Sequence, residues 1–112
     1  MSEENKLVLL EKMGSRGDII KIKFTQEVPS SRSAAYLAAA VDKCFKNKFY
    51  RLIVDMDNIH SPSNDFIATI IEATAKVRRQ QGDVKIINLS NEAKQTMAGF
   101  NAYSFLSIKS EE

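Results

Sequence analysis

The sequence predicts a single α/β domain, with one layer of helices on a mixed, mostly parallel sheet of four to five strands. Three observations carry this. Apolar residues recur with period 2 in some segments and near 3.6 in others, and the two kinds alternate along the chain. The first two period-2 segments are neighbours joined by a glycine-containing turn, as a hairpin requires. Every later strand-like segment is separated from the next by a helix-like one, as crossovers between parallel strands require.

Residues 1–5 and 110–112 are polar and are expected to fray as tails. Lys6–Glu11 (KLVLLE) reads as the first strand. Gly14 and Gly17 bracket a charged turn whose Arg16-Gly17-Asp18 is a turn sequence here, not an adhesion signal. Asp18–Phe24 alternates Ile20, Ile22 and Phe24 with Lys21 and Lys23, the pattern of a half-buried strand. Pro29 disfavours helix at Val28, and Ser31 or Ser33 can cap the helix that follows. That helix, about Ser33–Lys46, places Ala34, Leu37, Ala38, Val41, Cys44 and Phe45 on one stripe. Tyr50–Met56 (YRLIVDM) has an unbroken Leu52-Ile53-Val54 run. Such a run predicts a central strand covered on both faces.

The segment Asp57–Phe66 (DNIHSPSNDF) leads into a second helix, about Asn64–Gln81, with Ile67, Ile70, Ile71, Thr74 and Val77 facing inward. Gly82 is placed to stop it. Asp83–Leu89 is a further strand. Ser90 opens a third helix with Ala93, Met97 and Phe100 as its apolar side and Gly99 at its end. Phe105–Ile108 (FLSI) reads as an edge strand. With only three helices, they are expected to pack on one face, or mostly so.

A chain of 112 residues fits one domain, 1–112, and can bury one core. Sixteen basic against 14 acidic residues give a net charge of +2, which makes no electrostatic case for nucleic acid. The densest basic cluster, Lys76, Arg78 and Arg79, reads as a solvated helix C-terminus favoured by the dipole. The single cysteine, Cys44, excludes an intrachain disulfide and suits a reducing compartment. It sits on an apolar helix face with no histidine near it, which marks a buried, inert thiol. No run approaches the ~20 apolar residues of a membrane helix, and Met1–Lys6 lacks the apolar core of a signal peptide. Together these point to the cytoplasm, with no direct insertion into a membrane.

Enzyme chemistry finds little support. His60 lies beside Ser61 and Ser63, but a triad also needs an orienting acid and an oxyanion hole, and none is marked. Asp55, Asp57 and Asp65 are acidic, and Asp55 and Asp57 fall at i, i+2 on one strand face. Their simpler role is to bond the backbone of the adjoining turn. The four glycines form no phosphate loop. The reading is therefore a non-enzyme with no catalytic residue, no metal and no cofactor.

One stretch is more informative. Leu52–Gly82 joins a buried strand ending in Asp55 to small polar residues, then an Ile- and Ala-rich helix, then Gly82. It resembles the STAS family, the anti-sigma-factor antagonists. In that pattern a strand-end Asp is followed after a bridge by Asp-Ser-Ser-Gly-Leu at the start of a helix. Without gaps, Asp55 meets the strand-end Asp. Ser63, Asn64, Asp65, Phe66 and Ile67 meet the Asp-Ser-Ser-Gly-Leu stretch. Phe24–Val41 looks like the family's second strand and first helix, and Asn88–Phe100 like its last strand–helix passage, so the resemblance spans nearly the whole chain.

The resemblance implies the STAS-like fold and a bacterial regulatory protein without catalytic activity. Its expected partner is of the anti-sigma-factor or serine-kinase type. Docking would use Asp57, Asn58, His60, Ser61, Ser63, Asn64, Asp65 and Phe66. In the family the second serine of the motif is phosphorylated by the partner. Asp65 occupies that position here and cannot be phosphorylated in that way, which leaves Ser61 or Ser63 as candidate acceptors. Asp65 either imitates part of a phosphoserine's charge or only favours the first helical turn. Ser63 is placed to be an N-cap. Phe66, where the family has glycine, either enters the core or stands in the interface. A homodimer is left open, and so is a second reading, a structural subunit of a transport or signalling complex without a phospho-switch.

Overall fold

The computed structural model describes residues 7–100 and 105–108. Five strands, β1 (Val8–Met13), β2 (Ile19–Phe24), β3 (Arg51–Asp55), β4 (Asp83–Ile87) and β5 (Ser107–Ile108), lie in the order β1-β2-β3-β4-β5. Three helices interleave with them: α1 (Ser30–Lys46), α2 (Asn64–Arg78) and α3 (Asn91–Gly99). β1 and β2 are antiparallel, and the remaining neighbours are parallel. This is the STAS-like α/β arrangement the sequence predicts, with β3 in the centre. The frayed tails expected at 1–5 and 110–112 lie outside the described residues.

The hairpin turn is built on Gly14 (φ 86°) and Gly17 (φ 64°), and the Gly17 N–H donates to the Gly14 carbonyl at 3.1 Å. Only glycine adopts such angles without a Cβ penalty. β1 runs to Met13, two residues past the expected end, because its whole length pairs with β2 from Val8↔Phe24 to Met13↔Ile19.

The core is one-sided. β2 buries Ile20, Ile22 and Phe24, β3 buries Leu52 and Val54, and β4 buries Val84 and Ile86. These positions are in register across the sheet, so the helices cover a single face. The expectation that β3 is covered on both faces is corrected: Ile53 is only half-buried and Arg51 is exposed on the opposite side. The apolar run reflects β-propensity at Ile53, not a second helical layer.

α1 starts three residues earlier than expected, at Ser30, directly after Pro29, and no side chain caps it. Ser33 is inside the helix and buried, not a cap. The buried stripe is Ser33, Leu37, Ala40, Val41 and Cys44, whereas Ala38 faces out. Phe100, expected inward, is 38% exposed. α3 is short, and Ala93 and Met97 already fill its contact with the core.

The α2 C-terminus differs in mechanism. The helix ends at Arg78, and Gln81, not glycine, takes the left-handed angle (φ 65°). Gly82 serves close packing: a Cβ there would overlap the carbonyl of Tyr50, whose oxygen accepts the Asp83 N–H at 3.0 Å. At the far edge, Arg78 Nε donates to Asp83 Oδ1 at 2.9 Å and the Ser107 hydroxyl donates to Asp83 Oδ2 at 2.7 Å. These bonds hold the two-residue strand β5 against β4. Burial alone would raise the Asp83 carboxyl pKa. The Ser107 hydroxyl, the Val84 N–H and Arg78 together hold it below its ordinary value.

Candidate functional site

Parallel strands deliver three loops to one end of the sheet, 25–29 after β2, 56–63 after β3 and 88–90 after β4. The middle loop is tied down from below and from both sides. Asp55, at the end of β3, is 3% exposed. Its Oδ1 accepts the Asp57 N–H at 3.0 Å and the Asn88 side-chain amide at 2.9 Å, and Lys21 Nζ lies 4.0 Å from its Oδ2. The turn-bonding role expected for the acidic pair therefore falls to Asp55. Asn88 sits at φ 62°, an angle that Asn tolerates better than most residues.

The next residues alternate between anchor and display. Asp57 is exposed, while Asn58 turns inward and donates its amide to the Phe24 carbonyl at 2.7 Å. Ile59 is buried, and its N–H closes a turn onto the Met56 carbonyl at 3.0 Å. His60 and Ser61 are exposed, Pro62 is buried, and Ser63 is half-buried. Ser63 Oγ accepts the Phe66 N–H at 3.1 Å, so it is the N-cap of α2 that its position suggests. Asn64 and Asp65 are exposed on the first helical turn. Asp65 places a negative charge where unpaired N–H groups and the dipole favour it.

Phe66 is completely buried, with its ring centre 6.0 Å from that of Phe24. Of the two fates open to it, the core is the one realised. It supports the loop and does not line its surface. The exposed set is thus Asp57, His60, Ser61, Asn64 and Asp65, with Asn58 and Ser63 as its internal bonds.

Flanking loops supply residues that sequence reasoning passed over. His60 Nδ1 lies 2.9 Å from Glu27 Oε2, and the Ser90 hydroxyl donates to the His60 carbonyl at 2.6 Å. Ser90 also accepts the Ala93 N–H at 3.0 Å as the cap of α3, so its capping signal did mark it. Nothing in the sequence marks Glu27 or Asn88, whose partners lie 33 residues away in each case. The His60–Glu27 pair is exposed at both ends, 58% and 70%, so it adds little stability. Glu27, Asn58, His60 and Ser61 also border a cavity of about 250 Å³.

The Nδ1 of His60 faces a carboxylate, and the Ser90 hydroxyl reaches its carbonyl, not its ring. Among the described residues no group of three His, Cys, Asp or Glu side chains could hold a metal ion. No helix among them is long and apolar enough to cross a membrane.

This one-sided mixed sheet, with a capped helix rising from the loop after its central strand, has a counterpart among solved structures. A crystal structure of a candidate anti-sigma factor antagonist from Thermotoga maritima superposes with a TM-score of 0.80 at 9% identity, over 96% of this chain and 89% of that one. The NMR structure of the same protein, TM1081, gives 0.71 at 9% identity, over 88% of this chain and 78% of that one. At that identity the likeness establishes the fold. No family model and no curated protein matches the sequence.

Proposed function

We propose that the chain is a non-catalytic regulatory domain of the cytoplasm that docks a partner protein through the loop 57–65. The partner is of the anti-sigma-factor or serine-kinase type; the name of the structural neighbour, an anti-sigma factor antagonist, supports the first of these. The observation that carries this is the division of labour within the loop. Asp55, Asn58, Ile59, Pro62, Ser63 and Phe66 hold it rigid, while Asp57, His60, Ser61, Asn64 and Asp65 are left exposed on it. Preorganisation of this kind lowers the entropy lost on binding.

Control by phosphate, where it occurs, falls on Ser61. Ser63 is engaged as a cap, and Asp65 fills the helix position with a permanent charge. The test is affinity capture from the native cell with the wild-type chain and with Asp65→Lys, followed by mass spectrometry. The expected result is a signalling protein captured by the wild type and lost with Asp65→Lys, with any phosphate on Ser61. Equal capture by both chains refutes the site. Phosphate on Ser63 refutes the assignment of the acceptor.

A further inference from the structure

The sheet end opposite the loop 57–65 gathers cations from three separate parts of the chain. β1 and β2 meet there in the hairpin turn, which carries Arg16, and β3 begins there at Arg51 beside Asp83 of β4. α1 and α2 both end there. α1 brings Lys43 and Lys46, and Lys48 follows it; α2 brings Lys76 and Arg78, and Arg79 follows it. Packing joins these ends: Lys12 Nζ lies 5.7 Å from the centre of the Phe49 ring, and Lys76 Nζ 4.3 Å from that of Phe45.

Part of this charge is compensated. Arg51 lies 3.6 Å from Asp18, Lys46 lies 3.3 Å from Asp42, and Arg78 bonds Asp83. Arg16, Lys43, Lys48 and Arg79 are exposed and make no ion pair among the described residues. The pole bearing the loop is nearly balanced, with Glu27, Asp57, Asp65 and Glu92 exposed beside Arg32 and Lys94. The excess of positive charge thus sits at one end of the molecule.

We propose that the basic end is a docking surface for an anionic lipid bilayer, held by headgroup attraction without insertion. Lipid headgroups are mobile and can gather under cations that share no common spacing, which suits charges spread over three chain ends. The field decays within a Debye length of about 8–10 Å. Each cation near such a surface strengthens binding about fivefold. Nucleic acid fits less well, because the aromatic rings here are not free for stacking: Phe45 and Phe49 lie under lysines, and Phe45 also meets the edge of Tyr50. The opposite pole has no such excess of cations, so the bound chain presents the loop 57–65 to solution.

The test is co-sedimentation of the full chain with large unilamellar vesicles of phosphatidylcholine, with and without 30% phosphatidylserine, at 0.1 M and 0.5 M salt. Duplex DNA serves as competitor. Binding is expected only to the anionic vesicles and only at low salt. Lys48→Glu should weaken it about fivefold or more. Arg32→Glu, on the first turn of α1 at the opposite pole, should change it less than twofold. Neither side chain is buried, and neither makes an ion pair among the described residues, so both variants retain the fold, which circular dichroism checks. No partitioning into anionic vesicles overturns the proposal. So do equal effects of the two variants, or displacement by stoichiometric duplex DNA.

Discussion

Phe66→Ala separates the two roles that residue 66 can play, support of the core or contact with a partner. The ring is wholly removed from water, which is worth about 3 kcal/mol by transfer. Its tilted pairing with Phe24 at 6.0 Å adds about 1 kcal/mol. The void left between α2 and the sheet adds a further penalty, because neighbours collapse only in part. Alanine gives back roughly 0.5 kcal/mol as the better helix former. The net loss is about 4 kcal/mol, within the range for Phe→Ala in cores. Against a typical stability of about 5–15 kcal/mol that is large, and it corresponds to a Tm lowered by roughly 15–20 °C. Urea titration followed by circular dichroism measures it. The Ser63–Phe66 cap uses the backbone N–H and survives the substitution, so the loss reports the ring alone. Phe66→Leu should lose less than half as much. A urea-derived stability within about 0.5 kcal/mol of wild type, together with lost partner capture, would refute the core assignment and return Phe66 to the interface.

Further predictions concern the framework and its charges. Gly82→Ala should destabilise by about 3 kcal/mol or more, since its Cβ meets the Tyr50 carbonyl, which is already bonded to Asp83; a Tm within 2 °C of wild type contradicts this. Asp83 has a folded pKa below the ordinary 3.8, so its contribution to stability is complete above that value and is lost as pH falls through the folded one. Asp83→Asn should therefore flatten the acid limb of a Tm-against-pH curve, and an unchanged slope below pH 4 argues against it. Burial pushes the Cys44 thiol up to about 11, with Lys43 opposing. Native protein at pH 8 should resist an aromatic disulfide reagent and react fully in urea; rapid native labelling contradicts the buried thiol.

The sequence revealed elements best where one local rule sufficed. The hairpin glycines, the alternation of Ile20, Ile22 and Phe24, and the capping serines Ser63 and Ser90 each act within a few residues, and each sits where its rule puts it. Errors gathered where a distant neighbour decides. Ala38 fits the periodic stripe of α1 but faces out, because α2 and the sheet meet that helix along Leu37, Ala40, Val41 and Cys44. Ile53 looks as buried as Leu52 and Val54, yet it is only half-buried, and among the described residues no helix covers its face. The candidate site was legible as a position, the loop after the central strand, but not as a construction. Glu27, Asn88 and Ser90 reach it from the two flanking loops.

By itself, then, the sequence determined the order and type of the elements and which of them leads into the loop 57–65. Hydrophobic period, turn glycines and caps are properties of short segments, and they survive without knowledge of the whole. The tertiary structure decided which face of each element is covered, that Phe66 faces the core while Asp65 faces water, and that a nearly neutral chain has one basic end. Those outcomes depend on which segments become neighbours, and residues such as Arg16, Lys48 and Arg79, far apart in the chain, share an end only once the strands are in register.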